Sequence, residues 1–338
     1  MDVILSFDTE DYVTPEAADA QKWWAEELTK RGLRGSFQCV GEVVRGLIAR
    51  ERDDVIEALS AHEIGYHSDT HSAFPTHPVA LEKKGLSEGI EWVLRHEAAG
   101  FASLVKTFGR VPVTYCAPGD SWTPATLLAM GLLGIKVAAG FPVFEGWYCG
   151  MLTKMYDLCV DRYFRGQGGS DREHFLRDVE ALEKTKREDT AIVIFSHPTR
   201  LVTSEFWDRP FFKGADIPIR DLPAAPLRSE EDIQENKDRV CYWLDRLASK
   251  PGVRFIDHAT YYAERCSKGR DLNRLLAECG LSPVQVGELP LRELEPETSG
   301  VGSPMSRFRY SWQIFPDDFT GEAIIEQGCR LLWTYQSS

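Results

Sequence analysis

Short apolar runs that end in acidic or histidine residues constrain the fold of this chain more than any other feature. Val3–Phe7 is followed directly by the acids of Asp8–Asp11, and Ile192–Ser196 is followed directly by His197. Runs of this length predict buried strands. Helical patterns lie between them, so the alternation predicts a mainly parallel sheet with helices outside it. In such folds the reacting groups gather at the carboxyl ends of the strands, where these side chains are expected to meet.

The same patterns set approximate bounds for the main elements. The predicted strands lie at 3–7, 35–40, 64–66, 111–115, 135–139, 191–196 and 253–256. The predicted helices run from Thr14 to Gly32 and over about 53–62, 78–108, 124–133, 171–187 and 230–249, with a break near Gly100.

Two histidines, His67 and His71, follow the predicted strand 64–66. A spacing of four residues puts both imidazoles on one face of a helical turn, from which both can reach one divalent ion. For an isolated pair of this kind, a polar loop with capping by Ser68 and Asp69 is the commoner explanation. The acids upstream favour metal binding.

Composition narrows the classes of function. The chain of 338 residues is 43% hydrophobic and carries a net charge of −13. A nucleic-acid binder generally needs a basic face, so we expect no nucleic-acid partner. No stretch approaches the roughly 20 apolar residues of a membrane span. The N-terminus lacks the pattern of a secretory signal, and the eight cysteines form no C-x-x-C pair, so the sequence predicts a cytoplasmic protein with reduced thiols.

The alternation of predicted strands and helices is interrupted at two places. Residues 198–229 carry five prolines and several aromatic residues, which fits either a lid over the site or a surface loop anchored by its aromatic side chains. The alternation ends at about residue 268, so residues 1–268 are predicted to form the main domain. An aromatic C-terminal extension, residues 269–338, is expected to pack on that domain or on a partner subunit, which leaves a homo-oligomer open.

Four segments resemble the motifs of the polysaccharide deacetylases, the NodB-like carbohydrate esterases of family four. The resemblance covers roughly residues 2–265. Its motifs correspond to Ser6-Phe7-Asp8-Thr9-Glu10-Asp11, His67-Ser68-Asp69-Thr70-His71, Tyr115-Cys116-Ala117-Pro118-Gly119 and Phe195-Ser196-His197-Pro198. The resemblance implies a distorted (β/α) barrel that removes acetyl groups from N- or O-acetylated sugars, or cleaves small amides, with Zn²⁺ or another divalent ion such as Co²⁺, Mn²⁺ or Ni²⁺.

The resemblance also implies roles for individual residues. Asp8 matches the catalytic base, His197 matches the general acid, and His67 and His71 match two metal ligands. The third ligand is an acid shortly after the base. Glu10 is favoured because it points the same way as Asp8 along an extended strand, with Asp11 as the alternative.

The third motif matches the region that donates hydrogen bonds to the oxyanion. Tyr115, Cys116 and Pro118 are the residues of this chain that fall there.

Three departures from the family pattern limit what the resemblance implies. Thr9 separates two acids that the family usually places side by side. Cys116 replaces an arginine that normally orients the base. The acid that tunes the late histidine is not evident, with Asp157 and Asp161 as weak candidates.

The sequence therefore leaves three functions open. The favoured one is a metal-dependent deacetylase acting on an acetylated carbohydrate or a related small amide. The second is a catalytically impaired barrel that acts as a binding module, which Cys116 favours. The third is a metal-dependent C–N hydrolase acting on a non-sugar amide.

Overall fold

The structure is a computed structural model that describes residues 1–141, 145–166, 171–186, 190–212 and 217–265. The strands are β1 (Asp2–Thr9), β2 (Ser36–Cys39), β3 (Glu63–Tyr66), β4 (Thr114–Cys116), β5 (Val137–Ala139), β6 (Gly146–Tyr148), β7 (Met151–Lys154), β8 (Leu158–Cys159), β9 (Ile192–Ser196) and β10 (Arg254–Phe255). The helices are α1 (Ala17–Lys30), α2 (Gly41–Ala49), α3 (Asp53–Ser60), α4 (His77–Leu81), α5 (Leu86–Phe108), α6 (Pro124–Leu132), α7 (Glu173–Thr185), α8 (Arg209–Phe212), α9 (Glu230–Ala248) and α10 (His258–Arg265).

A curled sheet forms a half-barrel at the centre of the molecule. Its strand order is β6-β7-β5-β4-β3-β2-β1-β9-β8, and β10 pairs with the start of β1. Every pairing between these strands is parallel except that of β6 with β7. The predicted distorted (β/α) barrel is confirmed. Each predicted strand matches an observed strand to within three residues, whereas the short strands β6 to β8 were not predicted.

Side chains along β1 point alternately to its two faces, one toward the hydrophobic core and the other toward the interior of the curled sheet. Val3, Leu5 and Phe7 belong to the large core cluster between the sheet and its helices. Ile4 belongs to a second, smaller cluster. Because side chains alternate along a strand, Asp8 shares the face of Ile4, inside the curl near the carboxyl end of the strand.

Helix α5 is continuous through Gly100, so the predicted break there is wrong. A Cβ at Gly100 would lie 2.4 Å from Oδ1 and 2.8 Å from Cα of Asp69, and a Cβ at Gly41 would lie 2.6 Å from Cα of Gly100. Glycine at these positions lets α5, α2 and the loop that carries Asp69 approach one another closely. The predicted helix 78–108 is instead divided between α4 and α5.

The structure describes only part of the two segments in which the alternation of strands and helices is predicted to change. Most of the segment 198–229 is described and lies against the site presented below, whereas the C-terminal extension, residues 269–338, lies outside the described residues. Among the described helices, none combines the length and the apolar character needed to cross a bilayer.

A buried acid lies at the amino end of the curl. Glu63, the first residue of β3, accepts hydrogen bonds from Ser36 Oγ (3.2 Å), Thr114 Oγ1 (3.1 Å) and the Ala259 amide (2.9 Å). Burial, reinforced by the charge of Asp257, raises the pKa of Glu63 from 4.5 to about 7. The folded protein therefore holds a proton at Glu63 over a pH range in which the unfolded chain releases it.

This shift predicts a pH-dependent stability. Since the folded-state pKa is the higher one, the contribution of Glu63 is fully present below pH 4.5 and is lost as the pH rises to about 7. A shift of this size corresponds to about 3 kcal/mol. Denaturant unfolding of wild type and Glu63→Gln at pH 4.5 and pH 8 should show the wild type losing roughly that much stability relative to the variant. An unchanged difference between the two proteins at both pH values would contradict the assignment.

Candidate active site

The sequence-predicted residues meet at the carboxyl edge of the half-barrel. Asp8 lies near the end of β1, His67 directly follows β3, Cys116 ends β4, and His197 directly follows β9. The ligand atoms of Asp8, His67 and Cys116 all lie within 4.8 Å of one another, as do those of Glu10, His67 and His71. The parallel sheet thus brings together groups that are up to about 190 residues apart in the chain.

The loop that carries His67 and His71 is not a helical turn, so that part of the prediction is wrong. Ser68 (φ +64°) and His71 (φ +55°) both adopt left-handed backbone conformations. Ser68 Oγ accepts a hydrogen bond from the His71 amide (2.9 Å), and the Ser68 carbonyl accepts one from the Gly41 amide (3.0 Å). The two imidazoles converge because the loop folds back on itself, with ring centroids 5.0 Å apart.

Glu10 completes a candidate metal site with the two histidines. Its Oε2 atom lies 2.9 Å from Nε2 of His71 and 3.6 Å from Nε2 of His67. All three side chains are buried, and among the described residues neither Nε2 atom has a hydrogen-bond partner of regular geometry, although both lie close to Glu10. Two converging imidazole nitrogens and a carboxylate oxygen form a donor set that suits Zn²⁺ or a similar divalent ion. The residues therefore fit the metal that the sequence predicts.

Partners outside this set fix the orientation of each imidazole. Nδ1 of His67 donates to the Cys116 carbonyl (2.7 Å), which leaves Nε2 to face Glu10. Nδ1 of His71 lies 3.0 Å from Ser72 Oγ, which donates to Asp208 Oδ2 (2.7 Å). Such second contacts hold the tautomer and the angle of a ligand. No motif in the sequence pointed to Asp208, because it lies in the aromatic segment 198–229 and not at a strand end.

Burial and the neighbouring charged groups together set the pKa values of His71 and Glu10. Burial opposes the charged form of His71, but the carboxylates of Glu10 and Asp208 raise its pKa to about 10. Burial would likewise raise the pKa of Glu10, but the neighbouring charges of His71 and His197 lower it well below its usual range. A metal ion held by His71 would have to displace a proton from this imidazole, so metal binding would release protons.

Asp11, the alternative ligand, has a different role in the structure. Its Oδ1 accepts hydrogen bonds from the amides of Val13 (3.0 Å) and Thr14 (2.8 Å), and its Oδ2 accepts one from Thr199 Oγ1 (2.6 Å). Oδ1 therefore stabilises the turn that precedes α1, and Oδ2 ties that turn to the 3₁₀ turn after β9. The geometry favours Glu10 over Asp11 as the acidic ligand.

Asp8 lies beside the candidate metal-ligand set and faces three other groups. Oδ1 accepts a hydrogen bond from Tyr156 Oη (2.8 Å). Oδ2 lies 3.7 Å from Nε2 of His197 and 4.0 Å from Sγ of Cys116. Burial and the charge of Asp8 raise the pKa of the Cys116 thiol well above its ordinary value, so Cys116 is neutral and unsuited to act as a nucleophile.

His197 is paired with Asp161, one of the two weak candidates for this position. Nδ1 of His197 donates to Asp161 Oδ2 (2.7 Å), and Asp161 Oδ1 also accepts from Ser196 Oγ (2.6 Å). Burial opposes a charge on His197, but Glu10 and Asp161 raise its pKa well above its ordinary value. The other candidate, Asp157, instead accepts from the Val193 amide and pairs with Lys186.

The third motif, Tyr115 to Gly119, contributes its backbone and the small side chain of Cys116 to the site. Tyr115 is buried in the large core cluster and packs against Tyr66, with ring centroids 6.2 Å apart. Its ring therefore lies on the face of β4 opposite to Cys116, whose thiol faces Asp8. Pro118 begins a short 3₁₀ turn beyond the strand and lines a small cavity that also includes His71.

The segment 198–229 supplies aromatic side chains to the site. Phe206 is 37% exposed and packs edge-on against the His197 ring, with centroids 4.8 Å apart. Trp207 is buried, with its ring 5.5 Å from that of His71 and 4.8 Å from that of Tyr12. The described part of this segment is therefore anchored beside the metal-ligand set.

Comparison with known proteins supports the fold. No family model and no curated protein matches the chain. A protein assigned as a polysaccharide deacetylase from Mycobacterium smegmatis is 14% identical, with a TM-score of 0.50 over 87% of this chain and 94% of its own. This likeness confirms the predicted resemblance at the level of the fold.

Two structures with lower TM-scores are described as members of the same carbohydrate esterase family. A family 4 acetyl xylan esterase from Clostridium thermocellum, in complex with a cobalt ion, is 15% identical, with a TM-score of 0.42 over 79% of this chain and 92% of its own. A mutant of a CE4 family pseudoenzyme from Bacillus anthracis is 11% identical, with a TM-score of 0.42 over 77% of this chain. The present chain spans 66% of the length of that pseudoenzyme structure.

The contact between Asp208 and the His71 ring system predicts an effect on metal affinity. Replacing Asp208 with Asn removes the charge behind Ser72 and His71 while keeping the side-chain size. We expect a loss of about 10- to 100-fold in Zn²⁺ affinity, measured by competition with a chromogenic chelator. Asp221→Asn, an exposed position in the same segment, is the control. Equal affinities for the Asp208 variant and the control would contradict this role.

Proposed function

We propose that this protein is a metal-dependent hydrolase that removes an acetyl group from an N- or O-acetylated carbohydrate or a related small amide. One observation carries the proposal: a candidate metal-ligand set, the carboxylate of Asp8 and an imidazole–carboxylate pair converge in one buried site. Hydrolysis of an acetyl group needs these three components, namely an activated water, a base and an acid for the leaving group.

His67, His71 and Glu10 are the residues that would hold the metal. Zn²⁺ suits two imidazoles and a carboxylate best, and Co²⁺, Mn²⁺ and Ni²⁺ are alternatives for the same donors. When bound, such an ion supplies Lewis acidity, which polarises the acyl oxygen and makes water a better nucleophile near neutral pH. Three protein ligands are typical of catalytic sites, because they leave room for water and substrate.

Asp8 and His197 divide the proton transfers. Asp8 Oδ2 lies near His197, and Asp8 lies near the proposed ligand His67, which supports a role for Asp8 in taking a proton from the attacking water. His197 holds its Nδ1 proton against Asp161, and its raised pKa keeps a second proton on Nε2 at neutral pH. That proton goes to the leaving nitrogen or oxygen, which is a poor leaving group unless protonated.

The strand end at Tyr115 and Cys116 is the proposed oxyanion region. Because the Tyr115 ring packs in the core, any hydrogen bond to the acyl oxygen comes from the backbone of this motif. A backbone donor held by a sheet is preorganised, as stabilisation of a developing charge requires. Pro118 shapes the turn directly beyond it.

Phe206 is partly exposed, and the part of its ring that Arg200 and His197 leave uncovered supports a substrate with an apolar surface, such as a sugar ring. Phe206 touches the His197 ring, so a group packed on it lies next to the proposed acid. Binding sites of this kind combine aromatic walls with a few polar groups. This is the support in the structure for a carbohydrate over a smaller amide.

Metal content tests the first component. Protein purified without chelator is expected to hold about one divalent ion per chain by elemental analysis, and His67→Ala/His71→Ala is expected to lose it, because two of the three donors are gone. His174→Ala, which removes a half-exposed histidine on α7, is the control and should keep the ion. No ion in the wild type, even after incubation with Zn²⁺, would overturn the hydrolase and favour a binding module.

Acetate release tests the reaction. The metal-loaded wild type is expected to release acetate from N-acetylglucosamine oligomers, and Asp8→Asn should reduce the turnover strongly while keeping the metal. Hydrolysis of small non-sugar amides without activity on acetylated sugars would assign the same chemistry to a different substrate class.

A further inference from the structure

The carboxylate of Asp8 is held without a basic side chain. In the part of the chain that the structure describes, the ion pair recorded for Asp8 is the one with His197, and no arginine or lysine shares it. The resembled family places an arginine behind this carboxylate, where this chain has Cys116. The thiol is 4.0 Å from Oδ2, and a thiol is a weak donor, so Cys116 does not replace an arginine by itself.

Tyr156 contacts the other oxygen of Asp8. Its hydroxyl lies 2.8 Å from Oδ1 and 2.9 Å from Ser6 Oγ. An ionised carboxylate can only accept, so Tyr156 donates to Asp8, and Ser6 can in turn donate to the Tyr156 oxygen. Ser6 and Asp8 lie on the same face of β1, which sets this chain of hydrogen bonds along the strand.

The Tyr156 ring is fixed by packing. It stacks on Phe195 with ring centroids 4.4 Å apart and an interplanar angle of 27°. Phe195 lies on β9, two residues before His197. The same element therefore supports the proposed acid and the ring that contacts the proposed base. Burial, and then the charge of Asp8, raise the pKa of Tyr156 well above its ordinary value, so the hydroxyl keeps the proton it donates.

The side chains of Cys116 and Tyr156 lie next to each other, against the same glycine. Gly140, with φ +64°, lies against both: a Cβ there would be 3.0 Å from Cys116 Sγ and 3.2 Å from Cε2 of Tyr156. A long side chain at position 116 would have to cross the space that the Tyr156 ring fills. The small residue at 116 and the large ring at 156 are thus complementary in size.

We propose that Tyr156 is the positioning residue for the Asp8 carboxylate, in place of the arginine that Cys116 replaces. The inference rests on the proposed function, because Asp8 has to act as the base. A neutral phenol that donates one hydrogen bond fixes the angle of the carboxylate and leaves Oδ2 for the attacking water.

Kinetics of Tyr156→Phe test this role. The variant keeps the ring and loses only the hydroxyl, so we expect kcat to fall by about 10- to 100-fold, as misplacement of a catalytic group produces, with KM and metal content unchanged. Tyr163→Phe is the matched control, because it also removes a tyrosine–carboxylate hydrogen bond, the one to Asp178. An unchanged kcat in Tyr156→Phe would overturn the inference. So would a parallel loss of kcat and thermal stability in both variants, since this would mark a merely structural role.

A second readout does not depend on activity. In protein labelled with [ζ-¹³C]tyrosine, the Tyr156 signal is assigned by its absence in Tyr156→Phe. The Asp8→Asn variant should shift that signal more than the Tyr163 signal, because the charged acceptor is lost. No shift would overturn the inference even if the wild type is active. A shift in a protein that binds metal but hydrolyses no acetylated substrate would uphold the contact and overturn the proposed function.

Discussion

Parallel pairing of the central strands is the constraint on which the candidate site depends. Because β1, β2, β3, β4 and β9 all run in the same direction, their carboxyl ends lie at one edge of the half-barrel. Residues that follow these strands are then brought together whatever their separation in the chain. Asp8, His67, Cys116 and His197 are neighbours for this reason, and no local feature of the loops would have placed them so.

Each of the three histidines at this edge of the sheet is oriented by a hydrogen-bond partner at Nδ1, which leaves Nε2 to face the site. The Cys116 carbonyl holds Nδ1 of His67, Ser72 holds Nδ1 of His71, and Asp161 holds Nδ1 of His197. In each case Nε2 faces the centre of the site. Burying these groups is costly unless they are paired, so the partners stabilise the site as well as aim it.

The sequence predicted the parts of the molecule that local patterns determine. Apolar runs located the strands, and the spacing of His67 and His71 predicted that the two imidazoles converge, although it assigned the wrong backbone conformation. Gly100 was taken for a helix break because a glycine that permits close packing looks the same in sequence. Asp208 and Tyr156 follow no strand signal, since their contacts with His71 and Asp8 arise only from tertiary packing. Asp161 could be suspected but not chosen over Asp157 until the sheet placed it against His197.

The most direct test of this account is X-ray absorption at the metal edge of the zinc-loaded protein. We expect a first shell of nitrogen and oxygen at about 2.0–2.2 Å, with the outer scattering of two imidazoles from His67 and His71. A shell with sulfur at about 2.3 Å, as a cysteine such as Cys116 would supply, would contradict the proposed ligand set. A spectrum without imidazole scattering would contradict it as well.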